Sequence, residues 1–163
     1  MRAYLGVGTN LGDRWANLAL AAREIRASGR AVVLRASRVH DNAPVGPPQP
    51  RYLNAVLEVE TGLDPERLMA LLLAVERAAG RVRGPSRWAA RRLDLDLLLQ
   101  GDLVVRRPGL EVPHPGIAGR AFVLAPLAEL CPERVVPGTG RTVARLLAAA
   151  PPHDMREVGL YPL

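Results

Sequence analysis

The stretch RRLDLDLLL, Arg91 to Leu99, decides the fold, because it sets two carboxylates, Asp94 and Asp96, into a run of leucines. On a helix, residues two apart point about 200° away from each other, whereas on a strand they share a face. As a strand, the stretch carries Asp94 and Asp96 on one side, roughly 6 to 7 Å apart at about 3.3 Å per residue. Leu93, Leu95, Leu97 and Leu99 then line the other side. Four leucines on one face predict a strand laid on a hydrophobic core, with the acidic pair looking away from it.

Reading outward from this strand gives the order of the elements. RAYLGVG (2–8) sets Ala3, Leu5 and Val7 against Tyr4, Gly6 and Gly8, a strand with one bulky and one nearly bare face. Asp13 caps a helix carrying Trp15, Leu18, Ala22 and Ile25 at helical spacing, and Ser28-Gly29 stops it. Residues 31–39 predict a second strand, and DNAPVGPPQPR (41–51), with four prolines and a glycine, a loop. YLNAVLEVET (52–61) alternates again, Leu53, Ala55, Leu57 and Val59 inward and Tyr52, Asn54, Val56 and Glu58 outward. Asp64-Pro65 opens a helix with the stripe Leu68, Leu71, Leu72, Val75 and Ala79, closed by Gly80. The order β-α-β-β-α-β predicts a ferredoxin-like α+β fold, an antiparallel sheet with both helices on one face. Asp94 and Asp96 then share the opposite, helix-free face with Asn54 and the glycines of the first strand. The C-terminal third reads as an extension: a short strand near 103–105, a loop through VPHPG (112–116), and helices near 121–130 and 142–150. Residues 1–163 are expected to form a single domain.

Composition narrows the function. The 163 residues are 48% hydrophobic, no apolar run is long enough for a bilayer and no secretory leader is visible, so a cytoplasmic protein without membrane contact is expected. Cys131 is the one cysteine and reads as an inert thiol. All 22 basic residues are arginine, the net charge is +6 and the pI about 10.8, which points to anionic partners. Arg77, Arg81, Arg83, Arg87, Arg91 and Arg92 crowd the segment just before the acidic pair. Two carboxylates on a half-buried face repel one another unless a cation lies between them. A salt-bridged strand is one resolution; Mg²⁺ on a polyphosphate, with arginines neutralising the remaining charge, fits the pattern better. Gly6, Gly8 and Gly12 do not make a dinucleotide fingerprint, and a chain without lysine has no Walker A motif. Nucleic acid is not expected on the open sheet, since RNA-binding sheets stack bases on strand aromatics and only 4% of this chain is aromatic. A metal-dependent phosphohydrolase is the rival enzyme class. His114, fixed between prolines, and Trp88, an indole among guanidiniums, are further candidates.

Four separated motifs carry a resemblance: GTNLGDR (8–14), YLNA (52–55), GRVRGPSRWAARRLDLDLLLQG (80–101), and VPHP (112–115) followed by RAFVL (120–124). Over residues 2 to about 150 the chain resembles the 6-hydroxymethyl-7,8-dihydropterin pyrophosphokinase family of folate synthesis. The resemblance implies transfer of pyrophosphate from ATP to the pterin's hydroxymethyl oxygen, releasing AMP, with two Mg²⁺ ions held by Asp94 and Asp96. It implies that Arg81 and Arg91 contact the phosphates, that Trp88 joins them in a mobile loop, and that Glu76, Arg83, His114 and Arg120 stand on the nucleotide side. Asn54 would read the pterin's polar edge and Phe122 stack on its ring, with Tyr52 and the backbone around Asn42 and Val45 completing the pocket. No obligate protein partner is implied. The chain departs from the family pattern at Asn42-Ala43 in place of Thr-Pro, at Gly-Ile-Ala-Gly after Pro115, and at Gly109 and Glu111.

Overall fold

A computed structural model describes residues 1–80 and 90–163. Its elements run β1 (Arg2–Thr9), α1 (Arg14–Ala27), β2 (Ala31–Ala36), β3 (Arg38–Asn42), β4 (Tyr52–Thr61), α2 (Pro65–Ala78), β5 (Asp94–Gln100), β6 (Val105–Arg107), β7 (Leu110–Val112), α3 (Ala121–Leu130), β8 (Val135–Val136), β9 (Arg141–Thr142), α4 (Val143–Ala149) and β10 (Met155–Leu160). The main sheet has the order β10-β3-β4-β1-β5, with β2 beside the far half of β4, and every pair in it is antiparallel. The expected βαββαβ order therefore stands, with its second strand divided.

The expected helix signals act as chemistry requires. Asp13 accepts the Ala16 N–H at 3.0 Å and Asp64 the Arg67 N–H at 2.8 Å, each quieting an orphan donor of a first turn. Leu18, Ala21, Ala22 and Ile25 of α1 and Leu68, Leu71, Leu72 and Val75 of α2 join Leu93, Leu95 and Leu97 in one core on that face of the sheet. Trp15, expected on the α1 stripe, is instead 39% exposed. Its indole lies beside Gly159 of β10, where an added Cβ would come within 3.2 Å of the ring.

Further expectations are corrected. The strand expected over 31–39 breaks at Ser37, whose hydroxyl accepts the Val56 N–H at 2.8 Å, and a new strand continues to Asn42, into the stretch expected to be loop. The opposite face is not helix-free: α3 and α4 cover part of it, and Tyr4, Val56, Leu98, Leu99, Ile117, Leu124 and Leu127 form a second core there. Leu99 belongs to this second core because the β1–β5 register slips between Tyr4 and Leu5, with Tyr4 opposite Leu99 and Leu5 opposite Leu97. A bulge inserts one residue, so the side chains beyond it turn to the other face. The strand expected near 103–105 is the hairpin β6–β7, and β10, which the sequence pattern does not announce, adds an edge strand beside β3. Among the described residues no helix is long and apolar enough to cross a membrane.

Candidate active site

Register places the acidic pair. Gly6 lies opposite Asp96 on β5 and Val56 on β4, and Gly8 opposite Asp94 and Asn54. With no side chains at Gly6 and Gly8 on that face of β1, a cavity of about 370 Å³ opens above them, lined by Gly6, Gly8, Asn42, Val45, Tyr52, Asn54, Arg91, Asp94, Asp96, His114, Arg120 and Phe122 among others. A Cβ on Gly8 would sit 2.7 Å from Asn54 Oδ1, so the bare position is what lets Asn54 lean across the strand.

Each wall has an identifiable support. Arg91 Nη1 donates to Asp94 Oδ1 at 2.7 Å, with both side chains mostly covered. Burial works against the Arg91 charge, but the Asp94 carboxylate outweighs it, and the guanidinium pKa is raised. Burial, then the charge of Asp94, also pushes the Tyr52 phenol up, so it stays protonated. The bulge at Leu98 turns its carbonyl to the His114 N–H at 2.9 Å, which seats the VPHPG loop beside Asp96. Gly116 N–H donates to His114 Nδ1 at 2.9 Å. The ring proton of neutral His114 therefore sits on Nε2, 3.7 Å from Asp96 Oδ1. A Cβ on Gly116 would stand 2.7 Å from Arg120 Nη1, so this glycine makes room for the guanidinium. On the far wall Asn54 Nδ2 donates to Asn42 Oδ1, and Asn42 Nδ2 to the Ala43 carbonyl.

Of the residues singled out from the sequence, Arg91, Asp94, Asp96, His114, Arg120, Asn42, Val45, Tyr52, Asn54 and Phe122 meet around this one cavity. Arg81, Arg83 and Trp88 lie outside the described residues. Glu76 does not line the cavity: it is 1% exposed on α2, and its Oε1 accepts the Leu95 N–H at 2.7 Å. Asn10 is not singled out by the sequence pattern although it sits in GTNLGDR. It is 2% exposed, accepts the Arg91 N–H at 2.7 Å, and donates to Gln49 Oε1 at 2.9 Å and to the Pro50 carbonyl, joining two rims of the cavity. An asparagine at a strand end was the signal available.

The donor set suits one kind of metal. Asp94 and Asp96 offer hard oxygens, while among the described residues no three His, Cys, Asp or Glu side chains gather to hold a metal by themselves. Two carboxylates could hold a hard cation of the Mg²⁺ type, which keeps waters and takes substrate phosphates as its other ligands.

A ferredoxin-like sheet that carries an acidic pair, an ion-paired arginine and an amide-lined cavity defines a small α+β enzyme acting on small molecules. The chain belongs to the 7,8-dihydro-6-hydroxymethylpterin-pyrophosphokinase family, whose model matches residues 4–132. It is 39% identical over 151 residues to the 2-amino-4-hydroxy-6-hydroxymethyldihydropteridine pyrophosphokinase of Pseudomonas aeruginosa, covering 92% of each chain. It is likewise 39% identical over 145 residues to the Synechocystis protein of that name, covering 89% of this chain and 74% of the relative. In fold it is similar to a substrate-bound HPPK-DHPS crystal structure, with a TM-score of 0.72 at 10% identity over 91% of this chain. A Plasmodium falciparum HPPK-DHPS structure gives 0.70 at 14% identity. The chain spans 43% and 45% of those two longer proteins. Pyrophosphate transfer onto hydroxymethyldihydropterin in folate synthesis is the activity that family membership assigns.

Proposed function

We propose that ATP gives up its β,γ-pyrophosphoryl group to the hydroxymethyl oxygen of 6-hydroxymethyl-7,8-dihydropterin in this cavity, leaving AMP, with two Mg²⁺ ions held at Asp94 and Asp96. The observation that carries this reading is the register of the acidic pair over the glycines of β1, which sets both carboxylates on the floor of one cavity. Held by Asp94 and Asp96, such ions would supply positive charge to offset the charge that develops on the phosphates. Arg91, braced by Asp94, turns its remaining N–H groups to the transferred phosphates, joined by Arg81. His114 and Arg120 face the nucleotide, Arg83 and Trp88 are further contacts for it, and Glu76 acts indirectly by fixing β5. Asn54 and Asn42 meet the pterin's polar edge, while Phe122 and Tyr52 give it flat apolar contact beside Val45. The enzyme so read is one domain over 1–163, cytoplasmic and without an obligate protein partner.

Ion counting tests the proposal apart from turnover. With Mn²⁺ in place of Mg²⁺, a non-hydrolysable ATP analogue and the pterin, electron paramagnetic resonance of free Mn²⁺ is expected to show two ions bound per chain. Asp94→Ala and Asp96→Ala should each bind at most one while still melting as a folded chain, because removing either carboxylate opens no core; Asp94→Ala melts somewhat lower, since it also removes the partner of Arg91. Two ions bound in both variants would place the metals elsewhere.

A further inference from the structure

We infer that His153 is a positioning residue for the pterin end of the site: it holds Phe122 and the Asn42–Asn54 wall in register from behind. The inference rests on the proposed pterin contacts of Phe122, Asn42 and Asn54. His153 does not line the cavity. Its ring stands 5.0 Å from that of Phe122 at an interplanar angle of 47°, within the range where tilted aromatic rings attract. Its Nε2–H donates to the Ala43 carbonyl at 2.8 Å, the same oxygen that takes Asn42 Nδ2–H at 3.1 Å. Asn42 Oδ1 in turn accepts from Asn54. An unbroken chain of contacts thus runs from Phe122 on α3, through His153, to the two amides on β3 and β4.

The chain around His153 is built to keep it there. Pro151 and Pro152 follow α4, and β10 begins two residues after His153, with Met155 opposite Asn42. Ala43 N–H donates to the Asp154 carbonyl at 2.9 Å, and Arg51 Nη1 to the Asp154 carboxylate at 2.7 Å, while the same guanidinium pairs with Asp41 of β3. Asp154, next in the chain after His153, is thus tied to Ala43 and Arg51, which holds the C-terminal segment beside the end of β3. Removing the His153 ring leaves Phe122 without its aromatic neighbour and frees one end of the amide chain, without touching a carboxylate or Arg91.

His153→Ala is expected to weaken pterin binding, and to raise the KM for pterin, by about tenfold. The kcat and the KM for ATP should stay within about twofold, with a melt close to that of the parent. In a Phe122→Ala background the same change should cost clearly less than in the parent, because the ring contact is already gone and only the Ala43 hydrogen bond is left to lose. Losses that multiply in the double variant, or equal losses for both substrates with a falling melt, would overturn the inference. Weak pterin binding by Phe122→Ala with parental binding by His153→Ala would overturn it alone. Parental binding by Phe122→Ala would overturn the pterin-contact reading as well.

Discussion

At Gly8 an added methyl would stand 2.7 Å from Asn54 Oδ1, and Asn54 is tied through its own amide to Asn42, so the clash cannot be relieved by a free rotor. Overpacking of this order costs about 1–3 kcal/mol. The reading of Asn54 as a pterin contact makes the consequence specific: Gly8→Ala should raise the pterin dissociation constant by about tenfold or more with little change in the KM for ATP. Unchanged pterin affinity, measured by fluorescence titration, would show that the position of Asn54 is immaterial. Much at this scale was legible, because Gly6, Gly8, Asn54, Asp94 and Asp96 declare their shared face by alternation alone. Asn10 and His153 were not, because each gains its role from partners far away in sequence: Arg91 for the first, Ala43 and Phe122 for the second.

Among the described residues, β5 is the end strand of the sheet, and the N–H groups on its outer side have no ladder partner there. Glu76 supplies one from α2 by accepting the Leu95 N–H between Asp94 and Asp96. Glu76→Ala should therefore strand a buried donor and cost about 1–3 kcal/mol. In a domain of this size that is a fall in Tm of about 2–10 °C, and Glu76→Gln, which keeps an accepting oxygen, should recover most of it. A melt unchanged in Glu76→Ala would remove the strand-fixing role. The period-two patterns of β1, β4 and β5 and the aspartate caps of α1 and α2 were readable because they are local. The break at Ser37 and the bulge at Leu98 were not, since one depends on Val56 of β4 and the other on the His114 N–H.

For the whole molecule, α1 and α2 build one core, and the C-terminal segment builds a second on the face the sequence left open. The covering by α3 and α4 turns a bare sheet surface into a walled cavity, bringing Arg120 and Phe122 to the acidic pair. The helices themselves were legible near 121–130 and 142–150. Where they pack was not, because that depends on Tyr4, Val56 and Leu98, which come from β1, β4 and β5. On the proposed reading, this cavity sets the pterin's hydroxymethyl oxygen against the β-phosphorus of ATP. Quantifying nucleotides and pterins by chromatography after incubation with ATP, Mg²⁺ and 6-hydroxymethyl-7,8-dihydropterin tests it most directly. AMP and the pterin diphosphate should form in equal amounts, with essentially no AMP when the pterin is left out; release of ADP, or AMP formation indifferent to the pterin, would contradict it.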